Sequence, residues 1–577
     1  MIPQLRIFQT LLFLLAAVPC GIPFRYQPNP VFPSELAALV LAVLMVLTAT
    51  LLPGTKKSSP PYASLIWFGL AAVIALQIIL MPVLYWSDRT EPILYALTAA
   101  FSVWALARAT EHFGKMQLAS YFAWGLLAGA IFNSAVSVQQ VIELLQNGPR
   151  LIFGHLGQKN LYGHYLSWGL AAAAWLAAEK ELPKAWFWPV AIWLALAIAW
   201  SGSRSPFMYA GAWLVFGSLS AYLGKDSIRR FGWLLAISAA LIIVMQFVAP
   251  WINDILQSLL HAKNEVPTGL DRLDSNGSRR LVEWQKAWIT FLAHPWLGVG
   301  WAAYPSQSIA LQINPAFAIV QESVLFTHAH NSLLNIMAET GLAGTLIMAG
   351  GILWMFIALL KREHDPVKIF GAALVIVSVL HSLVEYPLWY YHLLGPFALA
   401  LFFMRSDAPR RLQFPDWAAR FGLGAYGVAA LATAVFGGLL YIQIYPIMDP
   451  SDKPADNAGR IKTLQELKKN PLIDFYADFA LSNYIVASRQ DMPWKLQILD
   501  RLNQVRPYPS QLSDQAIMEA LRGNTSKAHQ LMRQAAFSYP ESLNYFNETI
   551  QEFKEPEVRA LIKEVEDAEQ LFGKTHK

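Results

Sequence analysis

Long apolar segments separated by short polar ones dominate the chain up to about residue 445. Each segment runs for about 15–25 residues, the length that an α-helix needs to cross roughly 30 Å of hydrocarbon. The pattern therefore predicts an all-α, polytopic membrane protein with about thirteen spanning helices. The predicted spans are residues 8–24, 35–53, 63–83, 92–109, 118–136, 161–178, 185–200, 206–223, 231–250, 331–358, 367–385, 390–404 and 421–444.

Two longer polar stretches stand outside this pattern. Residues 251–330 form a large loop between the ninth and tenth spans, and residues 446–577 form a tail in which charge and amide side chains increase. The tail shows helical periodicity, and its stretch 520–540 resembles one antiparallel helix pair of tetratricopeptide type. We therefore expect four parts: nine spans in 1–250, the loop 251–330, four spans in 331–445 and a helical domain in 446–577.

The basic residues predict how the chain is oriented. Six of the loops between spans carry clusters of Lys and Arg, for example Lys225, Arg229 and Arg230, whereas the short loops on the opposite side carry few. Clustered basic loops face the cytoplasm in most membrane proteins. The large loop and the tail then face the periplasm, and the protein is expected in the bacterial inner membrane.

Composition agrees with a membrane protein and narrows the class further. Hydrophobic residues make up 55% of the chain and charged residues only 14%, whereas about a quarter of an average soluble protein is charged. The net charge of +5 is small for 577 residues and does not indicate nucleic-acid binding. The single cysteine, Cys20, excludes an internal disulfide.

Arginines on the predicted outer side are candidates for binding a phosphate. Arg204 lies in the segment SGSRSP, which leaves almost no loop between two spans. Arg279 and Arg280 open a helix of the large loop on which Arg280, Trp284, Ala287 and Trp288 share one face, as in a helix seated at the membrane surface. Guanidinium groups bind phosphates through paired hydrogen bonds. The alternatives are an interfacial arginine for Arg204 and simple attraction to anionic lipid for the other two.

The segment THAHNSLLN at the start of the tenth span is the clearest candidate site. Asn331, Asn335 and Glu339 recur at every fourth position and predict a polar stripe that faces protein or a wet cavity. His330 is a candidate general base for a hydroxyl group, with a structural histidine as the alternative. His328 and His330 form an HxH pair, but no acidic third ligand lies nearby, so no metal is expected.

The eleventh span ends with HSLVEYP, in which His381 and Glu385 share a helical face and Pro387 stops the helix. A buried His–Glu pair is the structural alternative to a catalytic Glu385. We expect five side chains to meet at the outer face, where they suit a substrate with a lipid tail and a phosphate head. These five are Arg204, Arg279, Arg280, His330 and Glu385.

At these motifs the sequence resembles the O-antigen ligase superfamily, and most closely its protein O-oligosaccharyltransferases (the PglL type, pilin O-glycosylation ligases), which have a GT-C-like membrane fold. The ligase signature His-Asn-x9-Gly-x2-Gly is matched by His330-Asn331, Gly341 and Gly344. The element His-x3-Glu-Tyr-Pro, present as 381–387, is typical of the protein-glycosylating branch.

Two further elements carry the resemblance. A Gln-x-Asn element before a span is matched by Gln158 and Asn160, although Lys159 stands where a proline is common. The family's Gly-Arg-x3-Trp…His-Pro-x-x-Gly-x-Gly block has Arg279 in place of its first glycine. The matching residues of that block are Arg280, Trp284, His294, Pro295, Gly298 and Gly300.

The resemblance implies transfer of an oligosaccharide from undecaprenyl diphosphate to Ser or Thr hydroxyls of a periplasmic protein such as pilin. His330 would activate or orient the hydroxyl, with Asn331 and Glu385 as further catalytic candidates, and no cofactor or metal is implied. The implied diphosphate-binding residues are Arg204, Arg279 and Arg280. The implied residues of the donor and acceptor site are Gln158, Asn160, Trp284, Tyr386 and His381.

Other functions remain open at this point. An O-antigen ligase would use the same donor with lipid A–core as acceptor, and an O-antigen polymerase would extend the glycan itself. The tail and the 381–387 element favour protein glycosylation. A transporter of lipid-linked sugar would place charged residues at the bilayer midplane, whereas the polar residues of this chain cluster at one surface. The expected partners are the lipid-linked glycan, an acceptor protein and membrane lipids, without nucleic acid.

Overall fold

The computed structural model describes residues 3–54, 57–272, 278–318, 324–360 and 365–575. Apart from one two-residue strand pair, β1 (Lys57–Ser58) with β2 (Phe414–Pro415), the regular structure of these residues is helical. The α-helices are α1 (Pro3–Ala17), α2 (Phe32–Thr50), α3 (Tyr62–Leu80), α4 (Ser87–Phe113), α5 (Lys115–Asn147), α6 (Lys159–Ala178), α7 (Lys184–Trp200), α8 (Ser205–Leu223), α9 (Asp226–Leu259), α10 (Ser278–Ala293), α11 (Tyr304–Gln312), α12 (Pro315–Ala318), α13 (Ser332–Thr345), α14 (Gly351–Phe356), α15 (Pro366–Ser382), α16 (Tyr391–Met404), α17 (Asp416–Ile444), α18 (Pro454–Leu467), α19 (Asp474–Ser482), α20 (Met492–Asn503), α21 (Pro509–Leu521), α22 (Thr525–Ser538), α23 (Leu543–Gln551), α24 (Pro556–Arg559) and α25 (Ile562–Thr575).

Helical structure overlaps each of the predicted apolar segments. Among the described residues, seven helical stretches are long and apolar enough to cross a membrane, and four shorter apolar helices accompany them. The seven are Phe32–Thr50, Tyr62–Leu80, Ser87–Phe113, Lys115–Asn147, Asp226–Leu259, Ser332–Leu360 and Asp416–Ile447. The prediction of a helical membrane protein is confirmed, and the number of thirteen spans stays a prediction.

The chain folds into two compact units. Unit 1 comprises Met1–Leu70, Leu94–Ser275 and Ile347–Phe436, and unit 2 comprises Ala71–Ile93, Asn276–Leu346 and Gly437–Lys577. Each unit therefore draws on parts of the chain that are far apart in sequence. The predicted division into four consecutive parts stays a prediction.

Unit 1 is organised around two helices that are buried along almost their whole length. Every residue of α6 from Leu161 to Ala178 is buried, and so is every residue of α16. Small side chains allow this burial: a Cβ atom at Gly169 of α6 would lie 2.2 Å from the Cβ atom of Ala130 in α5. Helices that are apolar on all sides pack in the centre of a bundle, and small residues let their backbones approach.

Unit 2 holds the tail helices α18–α25 around one hydrophobic core. That core also includes Tyr85, from the turn between α3 and α4, and Ile309 of α11. Within the tail, α21 and α22 pack against each other across a short turn at Gly523, whose φ of +87° suits glycine. This pair lies where the sequence predicts a helix pair, and its tetratricopeptide character stays a prediction.

The tail binds the turn between α3 and α4 through buried carboxylates. Asp474, the first residue of α19, accepts hydrogen bonds from the backbone N–H groups of Trp86 (2.7 Å) and Ser87 (2.9 Å). The Tyr85 hydroxyl donates to Asp478 at 3.0 Å. The first N–H groups of a helix have no partner within the helix, so Asp474 acts as the cap of α4 from a distant part of the chain.

Candidate active site

The structure divides the predicted site residues between the two units. Unit 1 holds Arg204, Gln158, Asn160, His381, Glu385 and Tyr386. Unit 2 holds Arg279, Arg280, Trp284, His330 and Asn331. The expected meeting of five side chains at one outer face stays a prediction, and each unit is described below by itself.

In unit 1, Asn160 joins two segments that the sequence singled out. Its Nδ2 donates to Glu385 Oε1 at 2.7 Å, and its Oδ1 accepts a 2.7 Å hydrogen bond from the Ser203 hydroxyl, next to Arg204. Glu385 is buried, whereas Asn160 and Arg204 are half-buried. The Gln-x-Asn element, the loop that carries Arg204 and the end of the eleventh predicted span are therefore held together by one amide.

Gln158, Arg204 and Tyr386 each lie at or just outside a helix end. Gln158 occupies the N-cap position of α6 and Arg204 that of α8, and both side chains are half-buried. The ring of Tyr386 lies 5.9 Å from the ring of Tyr390. Helix N-termini carry partial positive charge, which suits a site for an anionic substrate.

His381 and Glu385 take different partners. The helix α15 ends at Ser382, three residues before the predicted end of the span, although the Glu385 N–H still bonds to the His381 carbonyl at 2.9 Å. His381 Nδ1 lies 2.8 Å from Nδ1 of His164, a buried histidine of α6 that the sequence did not single out. One of these two nitrogens must carry the proton and the other accept it.

In unit 2, the turn that carries His330 is joined to α10. Trp284 Nε1 of α10 donates to the His330 carbonyl at 3.4 Å. One turn earlier on α10, Arg280 is half-buried and Arg279 is exposed. A small core of Ala287, Tyr304, Ala329 and Ala338 packs α10, α11, the histidine turn and α13 together.

The α10 helix has a buried and an exposed face. Ala287 is buried, whereas Trp288 is 45% exposed. The buried face also carries Glu283 and Lys286, whose charges lie inside the unit. The seating of this helix at the membrane surface stays a prediction. This arrangement places the Arg280 and Trp284 side chains at the edge between the buried and the exposed faces.

The polar residues around His330 fix the turn that presents it. His330 has a φ of +49°, and its ring lies 5.3 Å from the ring of Phe326. Asn331 is the N-cap of α13 and accepts from the Leu334 N–H at 3.1 Å. Asn335 accepts from the Ala329 N–H at 2.9 Å. The predicted polar stripe thus begins at a cap, and its amides bind backbone on both sides of His330.

His328 is held neutral. Burial, the guanidinium of Arg506 and the neighbouring His330 together lower the pKa of His328 well below its ordinary value. Its Nδ1 lies 3.0 Å from the Thr327 hydroxyl. Among the described residues, no group of three or more His, Cys, Asp or Glu side chains is arranged to hold a metal ion, and metal independence stays a prediction.

Two backbone segments of unit 2 pair closely at a break in α13. The N–H groups of Val299 and Gly300 bond to the carbonyls of Ala338 (2.9 Å) and Glu339 (3.0 Å). Gly341 interrupts the helix with a φ of +60°. A Cβ atom at Gly341 would lie 2.4 Å from the carbonyl carbon of Trp296, closer than any real contact. Glycine is required here both for conformation and for space.

A buried ionic network fastens α10 to α11. Glu283 and Lys286, 1% and 2% exposed, form an ion pair of 2.7 Å. The Tyr304 hydroxyl and the Ser308 hydroxyl donate to Glu283 Oε2 at 2.7 and 2.8 Å, and Lys286 also donates to Gln312. Every member of the network has a partner, which is the condition for burying charge at tolerable cost.

Comparison with known proteins gives matches to three families. Residues 189–349 match the family described as O-Antigen ligase, and residues 152–177 match the family described as Protein glycosylation ligase. Residues 369–552 match the family described as Virulence factor membrane-bound polymerase, C-terminal. The resemblance to the O-antigen ligase superfamily is confirmed.

Two proteins of Acinetobacter baylyi are among the proteins to which this chain is similar. The General O-oligosaccharyltransferase is 25% identical over 301 residues, which cover 51% of each chain. The ComP-specific O-oligosaccharyltransferase is 23% identical over 372 residues, which cover 62% of this chain and 64% of the relative. The alignments thus span about half and just under two thirds of these relatives.

The three matched stretches contain every candidate site residue. Gln158 and Asn160 lie in the first matched stretch; Arg204, α10 and the His330 turn lie in the second; and His381, Glu385 and Tyr386 lie in the third. The third stretch also contains Asp474 and Arg506 of the tail. The family matches therefore extend over parts of both structural units.

Proposed function

We propose that the protein is an O-oligosaccharyltransferase of the bacterial inner membrane, which transfers a glycan from undecaprenyl diphosphate to Ser or Thr hydroxyls of a periplasmic protein such as pilin. The observation that carries the proposal is the hydrogen bond from Trp284 to the His330 carbonyl, because it joins a candidate base to the helix that carries Arg279 and Arg280. Both relatives are named O-oligosaccharyltransferases, which supports transfer of an oligosaccharide to an oxygen atom of the acceptor.

The reaction is a displacement at the anomeric carbon of the glycan. The acceptor oxygen forms a bond to that carbon while the bond from the carbon to the diphosphate oxygen breaks, and its electron pair leaves with the lipid diphosphate. The hydroxyl proton passes to the imidazole of His330, a transfer that typically accelerates a reaction by about 10²–10⁴-fold. The reaction written in this way needs no cofactor.

Fixed guanidinium groups stabilise the charge that develops on the leaving diphosphate. Negative charge grows there in the transition state, so Arg279 and Arg280 lower the barrier by binding the transition state more tightly than the ground state. We propose the same role for Arg204, as the resemblance implies. Asn331 and Asn335 hold the His330 turn by capping and bracing it, which keeps the imidazole in a fixed orientation.

The remaining assignments rest on the resemblance and on contacts within unit 1. Glu385 accepts from Asn160 at 2.7 Å, so its carboxylate is oriented and suited to binding a hydroxyl of donor or acceptor. Gln158, Tyr386 and His381 complete the proposed donor and acceptor site. The basic loops predict that these residues, the large loop and the tail face the periplasm.

A second acceptor is favoured by one observation, the match of residues 189–349 to the O-Antigen ligase family. In that case the same donor would be used, and the hydroxyl would belong to lipid A–core. The two functions differ only in the acceptor, so one assay can distinguish them.

The test supplies purified protein with a polyprenyl-diphosphate glycan and, in parallel, a pilin-type protein and lipid A–core, in the presence of EDTA. We expect glycan on the protein acceptor. His330→Ala should reduce transfer by about 10²-fold or more, whereas His261→Ala, at an exposed histidine outside the candidate set, should not. Glycan on lipid A–core alone would identify the second function, and full transfer by His330→Ala would exclude the assigned base.

A further inference from the structure

Gln77 makes three hydrogen bonds to two backbone segments of unit 2. Its Nε2 donates to the carbonyls of Leu297 and Glu339, each at 2.7 Å. Its Oε1 accepts from the Trp301 N–H at 3.1 Å. The side chain is fully buried. It lies near the end of α3, a helix long and apolar enough to cross a membrane.

The two segments that Gln77 binds lie shortly after candidate reacting residues in the sequence. Leu297 and Trp301 belong to the turn after α10, the helix that carries Arg280. Glu339 lies on α13, nine residues after His330 and just before the break at Gly341. The Gln77 amide therefore fixes the turn after α10 against the middle of α13.

A primary amide is suited to this task because it combines donors and an acceptor. It supplies two N–H donors and one carbonyl acceptor in a single plane, which the two carbonyls and the one N–H group require here. A polar side chain in an apolar helix is costly unless it is fully hydrogen-bonded. Arg89, at the start of α4, gives a second contact to the same turn by donating to the Trp301 carbonyl.

We propose that Gln77 is a positioning residue of the transfer reaction: its amide sets the distance between α10, which carries the diphosphate-binding arginines, and the His330 turn. The inference rests on the proposed function for its catalytic part, while the positional part stands on the contacts of Gln77 alone. Displacement of reacting groups by about 1 Å can reduce a rate by about 10²-fold.

The positional part is tested by measuring a distance with spin labels on the full-length protein. Cysteines replace Leu281 and Leu333, which are 54% and 37% exposed, in a Cys20→Ser background. Gln77→Met keeps the length of the side chain and removes all three hydrogen bonds. Gln77→Glu keeps an acceptor for the Trp301 N–H but turns a carboxylate oxygen towards two carbonyls. It is the second variant for the distance measurement if Gln77→Met does not accumulate in the membrane.

Gln140→Met is the matched control for the distance measurement. Gln140 of α5 is also a buried amide with three backbone hydrogen bonds, to the Gly154 carbonyl (2.7 Å) and from the N–H groups of Phe153 and Gly154 (2.9 Å each). We expect a broader or shifted distance distribution with Gln77→Met and Gln77→Glu, and an unchanged one with Gln140→Met. An unchanged distribution in both Gln77 variants would overturn the proposal.

The catalytic part is tested by measuring the kinetics of glycan transfer with Gln77→Met and Gln77→Glu. We expect kcat to fall by about 10–100-fold with little change in the KM for the acceptor, because binding groups remain and only their alignment is lost. A changed distance with normal kcat would overturn the catalytic role. If the unmodified protein transferred no glycan, the proposed function would fail, and the distance measurement alone would still decide whether Gln77 positions the two segments.

Discussion

Replacing Lys286 by methionine should loosen the packing of α10 on α11. The substitution keeps the length of the side chain and removes the ammonium group, which lies 2.7 Å from Glu283 Oε1. Glu283 would then stay buried as a carboxylate, 1% exposed, with the hydroxyls of Tyr304 and Ser308 as its donors. Two neutral donors do not replace a charge.

The size of the effect follows from this burial. Removing one partner of a buried ion pair typically costs about 3–5 kcal/mol, because the remaining charge stays desolvated without its counter-ion. The two hydroxyl donors to Glu283 place the expected cost near the lower limit, about 3 kcal/mol. The double variant Glu283→Gln, Lys286→Met leaves no charge inside, and we expect it within about 1 kcal/mol of the native protein.

Hydrogen exchange of the α10 amides, followed by mass spectrometry on purified protein, measures this local stability. A loss of about 3 kcal/mol corresponds to roughly 10²-fold faster exchange by local opening. Exchange in the double variant should return close to the native rate. If the double variant exchanged as fast as the single one, or faster, the loss would come from packing and not from a stranded carboxylate.

Three further outcomes are expected. Arg280→Lys should reduce kcat about tenfold or more because the paired hydrogen-bond geometry of the guanidinium is lost, and full activity in the transfer assay would indicate simple attraction to lipid. Gly341→Ala should lower the thermal midpoint, since its Cβ would lie 2.4 Å from Trp296 and overpacking costs about 1–3 kcal/mol; an unchanged midpoint would contradict the close approach. Burial raises the pKa of Asp514 to about 7, so stability conferred by its proton should be lost as pH rises from about 4 to 7; Asp514→Asn should raise the midpoint at pH 8 more than at pH 5, and equal shifts would refute the assignment.

The membrane helices were predictable because apolar length is a direct physical requirement of the bilayer. Their ends were less so. The fifth predicted span stops at residue 136, where the apolar pattern weakens, yet α5 continues to Asn147. Polar side chains such as Gln139 and Glu143 are compatible with a helix once it leaves the hydrocarbon. An apolar run therefore indicates which part of a helix lies in the bilayer, and it does not indicate where the helix ends.

The sequence predicted which residues belong to the candidate site, but it predicted their backbone conformation less well. Spacing of four predicts that Asn331, Asn335 and Glu339 share a helical stripe, and the same spacing is produced when Asn331 caps the helix and stands outside it. The left-handed backbone at His330 was not predicted: histidine is enriched in this conformation relative to most residue types, but only a minority of histidines adopt it.

Gln77, Glu283 and Lys286 were missed for different reasons. Gln77 is the only amide or charged side chain of α3, and an isolated amide in an apolar span was a signal that could have been used. Glu283 and Lys286, three positions apart, have the spacing of an ordinary exposed helix pair. Their burial arises from contacts with α11, 21–26 residues further along the chain, which spacing within one helix does not reveal.

The carboxylate of Asp474 has a consequence for biogenesis. It accepts hydrogen bonds from the N–H groups of Trp86 and Ser87, which are synthesised almost 400 residues earlier. These two hydrogen bonds therefore cannot form when α4 is first made. A chain that stops before residue 474 lacks the acceptor for those two N–H groups, which must then bond to water or to another partner. The hydrogen bonds at the start of an early helix are therefore completed only once a late part of the chain has been synthesised.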